Sequence, residues 1–234
     1  MIAAIIPARG GSKGIHKKNI VPFLGSPLIA HTIEQSLESD LVDATYVSTD
    51  DDEIAATSRE AGASVIERPA EIAGDRSPTE AALLHAVEEL RAAGTEPEIV
   101  VLLQCTSPLR RPTDIDDAVA LLTEEGYDSA LSACEEHAFF WNDSDNGAEP
   151  INYDPADRPM RQEMDGWYRE NGSIYAVRTD LLEREGCRLG GEIGIHEMPR
   201  QLSGEIDTPE DLERLEAIAR TSGFEPLVSE APPQ

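Results

Sequence analysis

The sequence predicts an α/β protein with a doubly wound, mostly parallel β-sheet. The main observation is that short apolar runs rich in β-branched residues alternate with amphipathic segments from residue 2 to residue 133. Such an alternation is typical of strands and helices joined by right-handed crossovers. The second observation is size, because 234 residues, of which 40% are hydrophobic, are enough to bury the core of one α/β domain.

The individual elements can be assigned along this alternating part of the chain. The strand at 98–103 is the most apolar, which predicts a central place in the sheet. Asp50 and Thr113 are the expected N-caps of the second and fourth helices, and Gly62 and Gly94 are expected to end the second and third. We expect strands at 2–6, 44–48, 64–66, 98–103 and 128–133, and helices at 27–39, 50–62, 79–93 and 114–125.

The alternation breaks between residues 135 and 166. This stretch contains the adjacent aromatics Phe139, Phe140 and Trp141, in a chain with only 5% aromatic residues. We expect residues 135–166 to be an insertion that acts as a dimerisation subdomain, within an α/β domain formed by 1–134 and 167–221. The alternative is that its aromatics only cover the sheet of their own subunit.

The expected elements resume after the insertion. Strands are expected at 172–177 and 193–198, and a last helix is expected to begin at Thr208-Pro209, an N-cap followed by proline at the first helical position. Residues 222–234, rich in proline and glutamate, are predicted to be a disordered tail.

Charge and composition exclude several classes of function. The chain has 46 Asp and Glu against 19 Lys and Arg, a formal net charge of −27, which argues against nucleic acid or an anionic membrane as a partner. An acidic surface that uses Arg in place of Lys suggests a halophilic protein, since salt screens its self-repulsion. No long apolar run and no leader segment is evident, and the three cysteines are scattered. We therefore expect a cytoplasmic protein.

A glycine-rich, basic loop at residues 7–19 directly follows the first predicted strand. Its glycines let the backbone N–H groups approach a ligand closely, and its cations suit an anion. The chain contains only three lysines, and all of them lie here: Lys13, Lys17 and Lys18. The spacing matches neither a Walker A motif nor the dinucleotide-binding glycine pattern. The loop by itself therefore predicts a site for a nucleotide or a sugar phosphate.

Four polar segments are predicted beyond the carboxyl ends of the strands, where open α/β sheets bind ligands. Glu205 and Asp207 alternate along an extended segment, so their carboxylates share one face. Two carboxylates opposite a phosphate-binding loop are what Mg²⁺ uses, together with substrate phosphates. Each segment alone could be an ordinary turn or helix start. The segments are 7–19, Arg68-Pro69 with Asp75, 104–111 and 205–209.

The motifs in these segments resemble those of the acylneuraminate cytidylyltransferase (CMP-sialic acid synthetase) family. The resemblance spans residues 2 to about 219 and implies a nucleotide-diphospho-sugar transferase-like fold. It implies that CTP and a nine-carbon 2-keto acid sugar give a CMP-sugar and pyrophosphate with Mg²⁺, in a homodimer. The matching motifs are Ala8-Arg9-Gly-Gly-Ser12-Lys13-Gly14 with Lys18-Asn19, Arg68-Pro69, Gln104-x-Thr106-Ser107-Pro108-Leu109-Arg110, Glu170-Asn171-Gly172-Ser-Ile-Tyr175 and Ile206-Asp207-Thr208-Pro209-Glu-Asp.

The resemblance also implies roles for individual residues. At two places the chain departs from the family pattern. Glu205 stands where the family commonly has a first metal-binding aspartate. Arg188-Leu189-Gly190-Gly191 stands where sialic acid enzymes place aromatics against the sugar, and this departure leaves legionaminic- or pseudaminic-type acids open as substrates. The implied set comprises Arg9, Lys13 and Lys18 at the triphosphate; Ala8, Ser12, Asn19, Arg68 and Thr79 at the nucleotide; Gln104, Arg161 and Tyr175 at the sugar, with Arg161 for its carboxylate; and Asp207 with Glu205 at the metal.

Two alternatives stay open at this point. One is another sugar nucleotidyltransferase of the same fold, such as a CMP-Kdo synthetase or an enzyme that uses a hexose 1-phosphate. The other is a regulator that binds a nucleotide without turnover. Intact Lys13, Lys18 and Asp207 argue against the regulator, and the departure at Glu205 argues weakly for it.

Overall fold

Seven strands form one sheet, with helices packed on both of its faces. The computed structural model describes residues 1–11, 14–145, 147–164, 166–222 and 224, without the side chain of Arg161. In chain order the strands are β1 (Ile2–Pro7), β2 (Pro22–Phe23), β3 (Ser26–Pro27), β4 (Ala44–Thr49), β5 (Ser64–Glu67), β6 (Ile99–Leu103), β7 (Ser129–Glu135), β8 (Trp141–Ser144), β9 (Gly147–Pro150), β10 (Tyr168–Arg178) and β11 (Ile193–Glu197). The α-helices are α1 (Leu28–Leu37), α2 (Asp52–Glu60), α3 (Thr79–Ala92), α4 (Pro112–Thr123), α5 (Thr179–Glu185) and α6 (Pro209–Ser222).

The order of strands in the large sheet is β11-β7-β10-β6-β1-β4-β5, which places β6 at the centre, as its apolar sequence predicts. β10 runs antiparallel to β6 and β7, whereas β1 pairs in parallel with β4 and β6, β4 with β5, and β7 with β11. The prediction of an α/β fold on a mostly parallel sheet is thus confirmed. In the part of the chain that is described, no helix is long and apolar enough to cross a bilayer.

The two faces of the sheet carry separate cores because successive side chains of a strand point to opposite faces. In β1, Ala4 and Ile6 pack with residues of α1, α2 and α4, whereas Ala3 and Ile5 pack with residues of α3 and α5. This arrangement leaves the carboxyl ends of the strands open between the two helical layers.

Some elements differ from the sequence-based prediction. The N-cap of α2 is Asp51, not Asp50, since the Asp51 carboxylate accepts hydrogen bonds from the N–H groups of Glu53 and Ile54, each at 2.9 Å. Helix α4 begins at Pro112, so Thr113 lies inside it and is not its cap. Helix α5 was not predicted, and β10 begins four residues before the predicted strand.

The predicted tail is wrong at its start. Ser222 ends α6, and Phe224 packs against a core cluster that includes Phe23 and Leu215. The remainder of the prediction, 225–234 with residue 223, lies outside the described residues.

The expected insertion contains a hairpin, β8–β9, which follows β7 and precedes β10 in the chain. The two strands form a separate two-stranded sheet. The ring of Tyr153 lies 4.5 Å from that of Phe139 and 5.8 Å from that of Trp141, measured between centroids, and the Arg158 guanidinium lies 4.1 Å from the Phe139 centroid. A local aromatic cluster therefore supports the hairpin.

Arg110 is fully buried beneath the carboxyl end of β6. Its guanidinium donates hydrogen bonds to the side chains of Gln35 (3.0 Å) and Thr32 (3.1 Å) and to the main-chain oxygens of Ser173 and Gln104 (both 2.5 Å). These bonds join α1, the segment after β6 and β10. Burial lowers the pKa of Arg110 to about 10, which still leaves the guanidinium charged at neutral pH.

We expect Arg110→Met to lower the free energy of unfolding by about 3–5 kcal/mol, because the change leaves several buried acceptors without donors. Urea titration followed by circular dichroism measures this loss. The matched control is Arg111→Met at the exposed neighbouring position, where a change within about 0.5 kcal/mol is expected. Equal losses for the two variants would contradict a structural role for Arg110.

Candidate active site

A cavity of ≈ 540 Å³ lies beyond the carboxyl ends of β1, β5 and β6. The four polar segments singled out from the sequence meet there. Because each of them follows a strand or precedes a helix, the topology of the sheet brings them to one edge. The lining residues are Pro7, Arg9, Gly14, Lys18 and Asn19 from the glycine-rich loop, Arg68, Ile72, Gly74, Asp75, Ser77, Pro78 and Thr79 from the segment between β5 and α3, Thr106 after β6, and Asp207 before α6.

Lys18 and Asp207 form the centre of one wall. The Lys18 ammonium donates to the Asp207 carboxylate at 3.0 Å and to the main-chain oxygen of Ile206 at 3.1 Å. Gly14 packs so closely against the main-chain oxygen of Asp207 that a Cβ atom at residue 14 would overlap it. The loop is thereby docked on the segment that carries the two predicted metal ligands.

Arg9 and Arg68 place two further cations at the cavity. The Arg9 guanidinium lies 3.1 Å from the Asp75 carboxylate, and the Asn19 side chain donates to the main-chain oxygen of Arg9 at 3.0 Å. Arg68 is buried and donates to the hydroxyl of Ser48 at 3.1 Å and to its main-chain oxygen. Burial lowers the pKa of Arg68, but a guanidinium stays protonated, so its position and its charge are both fixed.

Glu205 lies beside the cavity and does not line it. Its carboxylate packs against Gly172, which has a φ of +67° and no room for a Cβ atom, and the Gln104 amide oxygen faces the same point. Burial, followed by the charge of Asp207, raises the pKa of Glu205. Glu205 and Gln104 are therefore neighbours, one at a predicted metal position and the other at a predicted sugar position.

Other predicted site residues lie away from the open cavity. Ala8 is buried, and its N–H donates to the main-chain oxygen of Ser48 at 2.9 Å. Tyr175 is only 3% exposed; its hydroxyl donates to Glu170, the Arg188 guanidinium lies 4.5 Å from its ring centroid, and burial raises its pKa. The assigned roles of Ala8 and Tyr175 stay predictions.

Three predicted residues cannot be placed at atomic detail. Ser12 and Lys13 lie outside the described residues, and Arg161 begins a 3₁₀ turn, Arg161–Glu163, without a described side chain. Their roles also stay predictions.

Sequence reasoning missed part of the cavity wall. Ile72, Gly74, Ser77 and Pro78 line it, and the available signal was the loop composition of 69–78, between a strand and a helix. Polar residues in a loop at the carboxyl end of a strand are candidates for the site whether or not they match a motif.

Comparison with known proteins decides the family. The sequence model of the cytidylyltransferase family matches residues 3–228. The chain belongs to the cytidylyltransferase family. This cytidylyltransferase sequence is 38% identical over 214 residues to N-acylneuraminate cytidylyltransferase A of Danio rerio, covering 90% of the chain and 49% of the relative. It is also 31% identical over 216 residues to pseudaminic acid cytidylyltransferase of Campylobacter jejuni, covering 89% of the chain and 92% of the relative.

The chain thus spans about half the length of the N-acylneuraminate cytidylyltransferases that it matches. Among solved structures, CMP:2-keto-3-deoxy-manno-octonic acid synthetase complexed with CTP superimposes with a TM-score of 0.66 at 21% identity, over 94% of the chain and 99% of that structure. At this identity the likeness supports the fold alone. The resemblance read from the sequence motifs is confirmed at the level of the family.

Proposed function

We propose that this cytidylyltransferase transfers CMP from CTP to a nonulosonic sugar acid and releases pyrophosphate. The observation that carries the proposal is one cavity lined by the cations Arg9, Lys18 and Arg68 together with the carboxylate of Asp207. The names of the relatives support CTP as the nucleotide and an N-acylneuraminate or pseudaminic acid as the sugar.

The arrangement suits an in-line displacement at the α-phosphorus of CTP. The anomeric hydroxyl oxygen of the sugar forms the new P–O bond, its proton is lost to solvent, and the bond to the β-phosphate breaks. Such transfers depend on positioning and on charge neutralisation more than on a protein nucleophile. Lys18 and Arg9 bind the triphosphate in this scheme, and Arg68, held rigidly by Ser48, fixes the nucleotide end.

The carboxylates present fit Mg²⁺, which we propose as the cofactor. Asp207 lines the cavity with a side chain that is 68% exposed, and Glu205 lies close enough for the charge of Asp207 to raise its pKa. No group of three or more His, Cys, Asp or Glu side chains could hold a metal among the residues that the structure describes. This donor set suits an ion that takes one or two carboxylates and completes its shell with phosphate oxygens, whose charge it neutralises.

The identity of the sugar acid is open to a direct test. Arg188, in the segment where the resemblance would place aromatics, pairs with Glu80 at 2.6 Å and stacks on Tyr175. Because Arg188-Leu189-Gly190-Gly191 stands where sialic acid enzymes place aromatics, legionaminic- and pseudaminic-type acids are candidates beside N-acetylneuraminate. Pyrophosphate release should be measured with CTP, UTP and GTP against N-acetylneuraminic, legionaminic, pseudaminic and Kdo acids, at low and high KCl.

The proposal requires CTP to be preferred and at least one nine-carbon acid to be turned over. Turnover with Kdo alone would assign the chain to the eight-carbon alternative. Tight binding of CTP with no pyrophosphate release for any acid would indicate a regulator. A preference for UTP or GTP would contradict the proposal.

We further propose that the protein is a homodimer through the hairpin β8–β9. Phe140 and Trp141 are 42% and 49% exposed, and so is Ile151 (60%), whose N–H donates to the main-chain oxygen of Phe140; Met160, elsewhere in the insertion, is exposed as well. Large apolar side chains left in contact with water are typical of an interface. An interface role also fits the hairpin β8–β9 because its two strands are not part of the seven-stranded sheet.

We expect Trp141→Arg to dissociate the dimer, as measured by sedimentation equilibrium in KCl sufficient to keep the fold intact. Leu37→Arg, at an equally exposed apolar position on α1 (49%), is the control and should remain dimeric. A parental protein that sediments as a monomer would contradict the proposal.

A further inference from the structure

The acidic run at 50–53 contacts the glycine-rich loop and does not face only solvent. The Asp50 carboxylate accepts a hydrogen bond from the N–H of Gly10 at 3.0 Å, and Glu53 forms an ion pair with Lys17. Lys17 was one of the three lysines that marked the loop as a phosphate site. In the described structure it lies outside the cavity wall, whereas the adjacent Lys18 lies in it.

We propose that Asp50 and Glu53 are positioning residues of the nucleotide site. From outside the cavity they hold Gly10 and Lys17 in place, so that the neighbouring Arg9 and Lys18 face the phosphates. The proposal rests on the proposed function, because it assigns a task to the loop in binding CTP.

The first argument concerns the backbone at Lys17. Lys17 has φ 52° and ψ 41°, a left-handed conformation that is unfavourable for a residue with a Cβ atom. Its main-chain oxygen accepts the N–H of Ile20 at 3.0 Å, which closes the 3₁₀ turn Lys18–Ile20. This turn directs Lys18 and Asn19 into the cavity wall. The ion pair with Glu53 holds the Lys17 side chain in the direction that this left-handed backbone gives it, and so stabilises the turn.

The second argument concerns the other end of the loop. The Asp51 side chain lies 2.8 Å from the point where a Cβ atom of residue 10 would be, so the loop packs directly on the start of α2. The charge of Asp50 also opposes the lowering of the pKa of Arg68 by burial. Asp50 and Glu53 thus fasten the loop at Gly10 and at Lys17, on either side of the stretch that carries Ser12 and Lys13.

The competing interpretation is that the run merely caps α2 and adds to a solvated acidic surface. Capping is already supplied by Asp51, the N-cap of that helix. A general surface role predicts that any acidic residue of α2 would be equivalent. Glu60, exposed at the last position of α2, offers the matched comparison.

The test is the affinity for CTP, measured by titration calorimetry without the sugar, together with steady-state kinetics. We expect Glu53→Gln to weaken CTP binding about two- to fivefold at low salt, the factor of one exposed ion pair, with a smaller effect at high KCl. Glu60→Gln should leave it unchanged. The KM for the sugar and the melting temperature should be the same in both variants.

Three further variants separate positioning from folding. Lys17→Glu combined with Glu53→Lys should restore the affinity for CTP, and Asp50→Asn, which keeps an acceptor for Gly10, should bind better than Asp50→Ala. The proposal is overturned if Glu53→Gln binds CTP like Glu60→Gln, if the exchanged pair stays weak, or if the parental protein does not bind CTP. Binding of CTP without pyrophosphate release would contradict the proposed function alone, and the affinities would still decide the role of Asp50 and Glu53.

Discussion

Replacing Asp207 by Asn should lower kcat/KM for CTP by roughly a thousandfold, the range found when a group that stabilises transition-state charge is removed. The Asp207 carboxylate lines the cavity, and its oxygen contacts the Lys18 ammonium at 3.0 Å. The amide keeps the size of the side chain but removes the negative charge that a metal and a lysine would share.

A capping role for Asp207 makes a different forecast. The structure places the cap of α6 elsewhere, because the Thr208 hydroxyl accepts the N–H of Asp211 at 3.2 Å. Asp207→Asn should therefore leave the melting temperature unchanged. Parental activity in this variant would contradict the metal assignment.

Glu205→Gln tests the second predicted metal ligand. The Glu205 carboxylate is directed at Gly172 and Gln104, beside the cavity. We therefore expect kcat/KM for CTP to fall about tenfold and the Mg²⁺ requirement to rise, as for residues that act around a metal site. Glu205→Asp should be tolerated. A Mg²⁺ titration of the three variants is the measurement, and a greater loss for Glu205→Gln than for Asp207→Asn would reverse the two roles.

Replacing Lys18 by Met should lower kcat/KM for CTP by about ten- to a hundredfold, because a charge-assisted hydrogen bond to phosphate is worth roughly 1.5–3 kcal/mol. The Lys18 side chain is only 17% exposed, and it bonds to the segment that carries Asp207. It therefore stands at a fixed point of the cavity wall.

Lys17→Met supplies the matched control, since it removes the same charge one residue away. Lys17 faces Glu53, so its replacement should cost no more than about fivefold. Steady-state kinetics with CTP as the varied substrate separates the two. Equal losses of kcat/KM in the two variants would show that catalysis depends on the total positive charge of the loop and not on the position of Lys18.

The sequence predicted the convergence of the site because three of the polar segments follow the parallel strands β1, β5 and β6. Parallel strands end at one edge of the sheet, so Arg9, Arg68 and Thr106 had to approach each other, whereas Asp207 joins them from the segment before α6. Glycine composition was similarly informative at Gly14, where close packing on Asp207 leaves no room for a side chain.

Side-chain direction was beyond the reach of the sequence. Lys17 and Lys18 are identical neighbours, and only the left-handed backbone of Lys17 sends one to Glu53 and the other to the cavity. Tyr175 matched a sugar position, yet β10 runs antiparallel through the sheet and its alternation turns the ring toward the core of α3 and α5. The direction of a strand in the sheet and the sign of φ at a residue such as Lys17 arise from tertiary contacts that local composition does not encode.

The central claim is that the cavity binds CTP and that a sugar acid displaces pyrophosphate from it. Phosphorus-31 NMR of the protein with CTP, Mg²⁺ and a nine-carbon 2-keto sugar acid follows both products in one sample. We predict that a CMP phosphodiester signal and a pyrophosphate signal grow in equal amounts as CTP disappears, and that both grow about a thousandfold more slowly with Asp207→Asn. Formation of CDP and phosphate, or CTP that stays intact with every acid while the protein is folded, would contradict the account.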